Sequence, residues 1–378
     1  MKRLRSRLAI LGFLAFVSLL VWGPDLVWDW QDTRQLDVVV LDYTVPFENY
    51  REHAGAHWLL NHLKVQAPSG SEWSDRDYVG YHPDDREHPT RLSEVNLSGV
   101  DLVTITDVYG VYVDDLIEPQ LQQAHNDYSE VIFGGLLEAD AHALQEHVRR
   151  GGTVIAEFNT LAHPTSGAAR RIVGDLLGVE WSGWVGRVFV DPHDEGDVPA
   201  WLPRNWAEQN DGAELPHEPS LVLVGEDGTL AIFSGPTVDD VLPRVRLTAE
   251  GEARFPDARS GKPMHYWFTL VRADQDSHVH AEYDMPDRPG LMTWLEAHDL
   301  KASPPVLTEH QNGRSWHMAA EFVDLDFAPG RFDRWGTITW RRWFPDDEVG
   351  ISAPAYWGFY APVTAQLIRE LDAEHQAP

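Results

Sequence analysis

Three carboxylates stand at the ends of apolar, β-branched runs. Asp42 closes Leu36-Asp-Val-Val-Val-Leu-Asp42, Asp107 closes Val100-Asp-Leu-Val-Thr-Ile-Thr-Asp107, and Glu157 sits near the end of Thr153-Val-Ile-Ala-Glu-Phe158. Acids gathered at one place push their pKa values apart, which is what general acid and base work needs. Thr44, Tyr109, Gly134, Gly135 and Asn159 follow the same kind of run and would join them in a polar cleft. The plainer role for each acid alone is to cap a helix or pin a loop.

Other constellations carry less chemistry. His53 and His57 have the i, i+4 spacing that can hold zinc from one helix face, but no HExxH pattern surrounds them. His278 and His280 alternate on a strand without a third ligand, so no metal site is expected. No G-x-S-x-G elbow is present, and Ser166 in Pro164-Thr-Ser-Gly167 reads as a helix N-cap. Neither phosphate-binding glycine pattern occurs, so no cofactor is implied. The 16 tryptophans cluster at Trp181, Trp184, Trp201 and Trp206, then at Trp335, Trp340, Trp343 and Trp357. Flat aromatic faces bordered by acids and arginines suit sugar rings, and Trp181 and Trp184 are the stacking candidates. Aromatic core packing is the alternative for each.

These groups need elements to position them. Apolar runs at 36–42, 100–107, 131–135 and 153–158 alternate with helical stretches at 51–65, 138–150 and 166–177. That alternation predicts an α/β fold with a doubly wound, mostly parallel sheet, whose sites lie beyond the carboxyl ends of the strands. From about Val179 the texture turns to Trp, Gly, Pro and short strands. Leu221–Val224 and Leu230–Phe233 flank Gly225-Glu-Asp-Gly228 as a hairpin, with further strands at 265–271, 278–282 and 315–322. A helix at 355–374 closes this β-rich extension.

The N-terminus reads as a membrane anchor. Cations at Lys2, Arg3, Arg5 and Arg7 precede an uncharged apolar run from Leu8 to about Pro24. Its exit carries Trp22, Trp28 and Trp30 but no A-x-A cleavage pattern, which favours a retained span over a cleaved signal. Residues 1–7 would be cytoplasmic, 8–24 would cross the inner membrane once, and two regions, 36–190 and 191–378, would lie outside the cytoplasm. A net charge of −30, with 60 acids against 30 cations of which four are lysines, argues against nucleic acid as a partner and resembles a salt-adapted surface. With no cysteine, thiol chemistry and disulfides are excluded.

The order of strands, helices and glycines, with Gly151-Gly-Thr-Val-Ile-Ala-Glu-Phe-Asn159, resembles the class I glutamine-amidotransferase-like fold over about residues 36–180. This implies an amidotransferase-like or flavodoxin-like sheet, a fold that also serves as a non-catalytic domain in some carbohydrate-active enzymes. A glutaminase of that family needs a cysteine nucleophile, and its absence here removes the activity. The phrases His57-Trp-Leu-Leu-Asn-His-Leu-Lys64, Asp77-Tyr-Val-Gly-Tyr-His-Pro83, Asp107-Val-Tyr-Gly-Val-Tyr112 and Trp181-Ser-Gly-Trp-Val-Gly-Arg187 are similar to a group of bacterial envelope proteins without an assigned activity. The expectation is therefore an anchored, non-catalytic module that binds a polar ligand such as an envelope or exopolysaccharide glycan. The alternatives are a carbohydrate hydrolase using the strand-end acids, and a structural partner of an envelope protein.

Overall fold

The computed structural model describes residues 2–116, 129–342 and 352–376, so Trp343 lies outside the described residues. The apolar N-terminus forms α1 (Lys2–Asp29), and the chain then enters β1 (Val38–Asp42), α2 (Ala54–His62) and β2 (Val79–Gly80). Next come β3 (Leu102–Asp107), β4 (Val111–Tyr112), β5 (Val131–Phe133), α3 (Glu138–Arg149), β6 (Thr153–Glu157) and α4 (Gly167–Leu177). The long β7 (Val179–Phe189) leads to α5 (Trp201–Gln209), β8 (Ser220–Gly225) and β9 (Leu230–Ser234). The rest comprises β10 (Arg244–Leu247), α6 (Ala249–Arg254), β11 (Lys262–Pro263), β12 (Phe268–Ala273), β13 (His278–Asp284), α7 (Leu291–Ala297), β14 (Pro305–His310), β15 (Ser315–Met318), α8 (Thr337–Arg341), α9 (Ala353–Ala355) and α10 (Ala361–His375).

Nine strands make one sheet in the order β11-β10-β13-β14-β15-β6-β3-β1-β2. From β15 to β2 every pair is parallel, and from β15 to β11 every pair is antiparallel. The apolar runs VVVLD, LVTITD and TVIAE sit in the parallel part because both faces there are covered, and β3 and β6 are buried at every position. The C-terminal strands extend this sheet. A second, antiparallel sheet has the order β12-β7-β8-β9, and the expected hairpin joins β8 to β9.

Three local expectations are corrected. β5 enters no large sheet but pairs only with β4, within the stretch read as a loop, because it is three residues long and Ile132 faces solvent. The helix expected over 51–65 starts as a single 3-10 turn and becomes α-helical only at Ala54–His62. The closing helix begins at Ala353 and carries a π-helical turn at Tyr356–Tyr360, where Tyr356 donates its hydroxyl to Gly55 O at 2.7 Å. Such a turn adds one residue to the helix repeat and re-aims the side chains beyond it.

The segment Ile10–Asp29 of α1 is long and apolar enough to cross a membrane, or to serve as a signal sequence, and no residue of its apolar window is fully buried. The helix does not stop at residue 24 but runs through Pro24 to Asp29, where the body grips it. Trp28 donates its indole N–H to His62 O at 2.9 Å, so this tryptophan packs on the body while Trp22 and Trp30 stay exposed.

Candidate functional site

Strand direction places the site. The carboxyl ends of β15, β6, β3 and β1 lie side by side, and the loops that leave them floor a cleft of about 560 Å³. Thr44 follows β1, Asp107 ends β3 with Tyr109 just after, Asn159 follows β6, and Glu321 and Asp324 follow β15; all of them line the cleft. The second sheet forms the facing wall with Val185 and Arg187 from β7, then Tyr266 and Trp267 before β12, and Trp201 and Arg204 from α5.

Two strand ends use the same local device. Asp42 Oδ1 accepts the Thr44 N–H at 2.8 Å, and Asp107 Oδ1 accepts the Tyr109 N–H at 2.7 Å. An aspartate bonding the backbone two residues on closes a tight turn, so each acid pins its loop. The other oxygen of Asp42 lies 2.8 Å from His53 Nδ1, with both side chains fully enclosed. His53 Nε2 then meets Asp75 O at 2.9 Å. Asp42 is consequently engaged in structural hydrogen bonds and does not line the cleft. Glu157 is enclosed too: it accepts the Phe322 N–H at 3.3 Å, and burial holds its carboxyl well above the usual range. Gly134 and Gly135 line no cleft but permit a close backbone crossing behind Tyr109. A Cβ at Gly134 would stand 2.7 Å from Gly110 Cα, and one at Gly135 would stand 2.5 Å from the Pro164 carbonyl.

Asp107 differs from its neighbours because it is buried yet faces the cleft. Burial raises its carboxyl to about 8; the Tyr109 N–H pulls it down, while the charges of Asp42 and Asp324 push it up. It therefore holds a proton near neutral pH and can donate a hydrogen bond. Burial also holds Glu321 well above the carboxylate range, with Asp324 and Asp107 adding to the effect. Asp324 pairs with Arg51, whose Nε and Nη2 reach its two oxygens at 2.5 and 3.0 Å in a bidentate fork. Burial works against the Arg51 charge, but this carboxylate outweighs it. Arg51 Nη2 also donates to the Tyr266 hydroxyl at 2.5 Å, tying the two walls together. Arg187 pairs with Asp197 and lies over the rings of Tyr266 and Trp267 at 5.2 and 5.5 Å.

Of the residues singled out by sequence, Thr44, Asp107, Tyr109 and Asn159 meet at the cleft. Trp181 and Trp184 do not reach it. They pair with Val271 and Leu270 on either side of a bulge and pack on different elements, so they form no shared platform at the cleft. Trp181 lies under Arg170 at 4.7 Å, and Trp184 packs on Trp294 at 4.7 Å. The aromatic edge is supplied by Trp201, Trp267 and Tyr266 instead. Glu321 and Asp324 were missed because nothing local shows that β15 runs parallel to β6. Among the described residues no group of three His, Asp or Glu side chains is placed to hold a metal. His280 Nε2 instead meets Glu309 at 2.8 Å, and His278 Nδ1 meets Glu250 at 2.7 Å.

The arrangement offers what a hydroxylated ligand needs: a proton-bearing acid, a fixed ion pair, arginines and flat rings in one cavity. Comparison with known proteins finds no matching family model and no matching curated protein. Among solved structures, a ThuA-like protein from Bacteroides uniformis is similar at 9% identity, covering 77% of this chain and 84% of that one, with a TM-score of 0.29. The α/β fold rests on the sheet order and strand directions of the chain itself.

Proposed function

We propose that this chain is a membrane-anchored binding module whose cleft holds a polar, hydroxyl-rich ligand, an envelope or exopolysaccharide glycan. The observation that carries this reading is the meeting of Trp201, Trp267 and Tyr266 with Asp107, Asp324 and Arg51 in a cleft of about 560 Å³. Aromatic faces take the apolar faces of sugar rings, and acids and arginines take their hydroxyls. The anchor is α1, retained in the inner membrane with the body on the far side. Support for it comes from the cations before the apolar run and from the unburied segment Ile10–Asp29.

The test is binding of the full chain, in detergent or nanodiscs, to an array of envelope and exopolysaccharide fragments. Trp201→Ala should weaken binding about tenfold or more, as loss of a central aromatic anchor does. Trp184→Ala, outside the cleft, should leave it unchanged. No binding across the array, or equal losses in both variants, would overturn the reading.

A second reading has its own observation. A carboxyl held at about 8 in an open cleft suits a general acid, so Asp107 with Glu321 could serve a carbohydrate hydrolase. Asp42 and Glu157 are enclosed and have no part in that version. Turnover of a bound glycan, lost in Asp107→Asn while binding persists, would move the assignment from binding to hydrolysis. If neither binding nor turnover is found, a protein partner from the envelope becomes the reading to pursue.

A further inference from the structure

Cleft and anchor lie at opposite ends of the large sheet. α1 feeds through residues 30–37 into the amino end of β1, whereas the cleft opens at the carboxyl ends of β1, β3, β6 and β15. The far end of α10 also lies on the anchor side, since His375 Nδ1 is 3.2 Å from Asp101, just ahead of β3.

The segment 331–342 embraces the exit of α1. The Trp335 N–H donates to Pro24 O at 3.1 Å. Arg334 Nη1 donates to Asp25 Oδ1 at 3.1 Å and to Val21 O at 3.2 Å. On the other side Lys64 Nζ donates to Asp29 O and Gln31 O and stands 4.3 Å over the Trp28 ring. The anchor therefore cannot swing freely, and the body has a defined foot beside it. That foot exposes Trp335 and Trp340 at 49% and 39%, next to the exposed Trp22 and Trp30 of the anchor. Its sequence, Arg331-Phe-Asp-Arg-Trp-Gly-Thr-Ile-Thr-Trp-Arg-Arg342, holds four arginines against one aspartate in a chain whose net charge is −30. Tryptophan and arginine together are the composition of a membrane–water interface.

Beside it is a pocket of about 310 Å³ lined by Gln31, Arg34, Trp335, Thr339 and Arg369, among others. Arg34 is partly committed, with Nε 3.3 Å from Asp372 Oδ2 and Nη1 bonded to Leu63 O. Arg369 makes no ion pair among the described residues; burial lowers its pKa, the Arg34 charge adds to this, and the charge of Asp257 opposes it. Two guanidiniums share one pocket and leave room for an anion between the segment just after α1, the end of α2, α8 and α10.

We propose that this foot is a second membrane contact, in which Trp335 and Trp340 sit at the interface and the Arg34–Arg369 pocket holds the phosphate of an anionic lipid headgroup. The inference rests on α1 being a membrane anchor. Two features favour lipid over a soluble phosphate: the pocket adjoins the exit of the apolar helix at Gln31, and the Trp335 indole lines it.

The chain has no native cysteine, so single labels are clean. Full-length protein carrying Trp340→Cys or Glu208→Cys, each spin-labelled, would be placed in nanodiscs of phosphatidylcholine with or without phosphatidylglycerol. Residue 340 should be more accessible to oxygen than to a water-soluble nickel complex, and residue 208, on α5 beside the cleft, the reverse. Native mass spectrometry of protein released from the mixed nanodiscs should show retained phosphatidylglycerol, reduced about fivefold in Arg369→Gln, the share expected of one arginine at a headgroup. Equal retention in Arg369→Gln, or a nickel-accessible residue 340, overturns the proposal. Inorganic phosphate retained by the detergent-solubilised protein with no lipid preference also overturns it, by assigning the pocket to a soluble anion. Failure of the anchor itself reads differently, as release of the whole chain from membranes by alkaline extraction.

Discussion

Glu52 tests whether the acids under the cleft are held protonated. Its side chain is buried, one carboxyl oxygen has no hydrogen-bond partner, and burial with the nearby charges of Asp42 and Asp324 lifts it from an ordinary 4.5 to about 9. The folded protein then keeps a proton that the unfolded chain gives up. Stability from this group is fully present below about pH 4.5, falls across the window up to about 9, and is flat above it. At 1.36 kcal/mol per pH unit the full effect is about 6 kcal/mol. Water reaching the site raises the effective dielectric constant, so about 3 kcal/mol is the working expectation. Glu52→Gln keeps the shape and removes the titration. Thermal unfolding of the full chain in detergent, followed by tryptophan fluorescence, should find the variant within about 1 kcal/mol of the parent at pH 5 and about 3 kcal/mol more stable at pH 9.5. For a body of this size that is a rise in Tm of roughly 5 °C. Asp107 should leave both proteins with a residual slope up to about pH 8. If the difference between variant and parent is the same at both pH values, Glu52 is ionised when folded and the electrostatic account of the site is wrong.

Asp42→Ala strips an enclosed partner from His53 and an acceptor from the Thr44 N–H, and should cost about 3 kcal/mol in urea unfolding; a loss under 1 kcal/mol would contradict the structural role given to that pair. Gly110→Ala places a Cβ 2.3 Å from Phe133 O at a φ of +96°, whereas Gly99→Ala, at a φ of +84°, meets nothing within 4 Å. The second substitution should cost about 1 kcal/mol from backbone strain alone, and the first about 3 kcal/mol or more; equal losses would mean that the two loops do not cross as closely as described. Arg51→Met leaves the buried Asp324 carboxyl without its bidentate partner, so it should cost about 3 kcal/mol, read by the same unfolding assay; a loss under 1 kcal/mol would contradict the role given to that fork.

The parallel half of the fold was legible because burial on both faces leaves a local trace. VVVLD, LVTITD and TVIAE have no polar alternation, and each is a central strand. Ser166 was legible for a similar reason, since an N-cap acts within one turn: its hydroxyl accepts the Ala169 N–H at 3.2 Å. The remainder of the site depends on contacts that no window spans. Arg51 and Asp324 are 273 residues apart, and their pairing exists only because β15 returns beside β6. The tryptophans misled for a geometric reason. Trp181 and Trp184 look like one cluster, but across a bulge they pack on Arg170 and Trp294 away from the cleft, while Trp201 is brought to it by a separate helix.

The carboxyls around the cleft do not serve one purpose, and their partners separate them. Asp42 and Asp324 have an imidazole and a guanidinium partner in contact, so their carboxyls are part of the architecture. Glu52, Asp107, Glu157 and Glu321 form no salt bridge among the described residues, and burial pushes all four upward. A buried carboxyl without a cation destabilises the fold as soon as it ionises. Four of them at one end of a sheet are tolerated because each can stay protonated, which turns a cluster of potential charges into a cluster of hydrogen-bond donors. Asp107 and Glu321 reach the cleft, and a neutral ligand such as a sugar can use those donors without bringing a counter-ion. A cationic ligand would instead draw the protons off and convert the same acids into ion-pair partners, so its affinity would rise steeply between about pH 6 and 9. Glycan affinity should be flat below pH 7 and decline above 8 as the donors are lost. The slope of affinity against pH thus separates a neutral glycan from a cationic ligand before the ligand's structure is known.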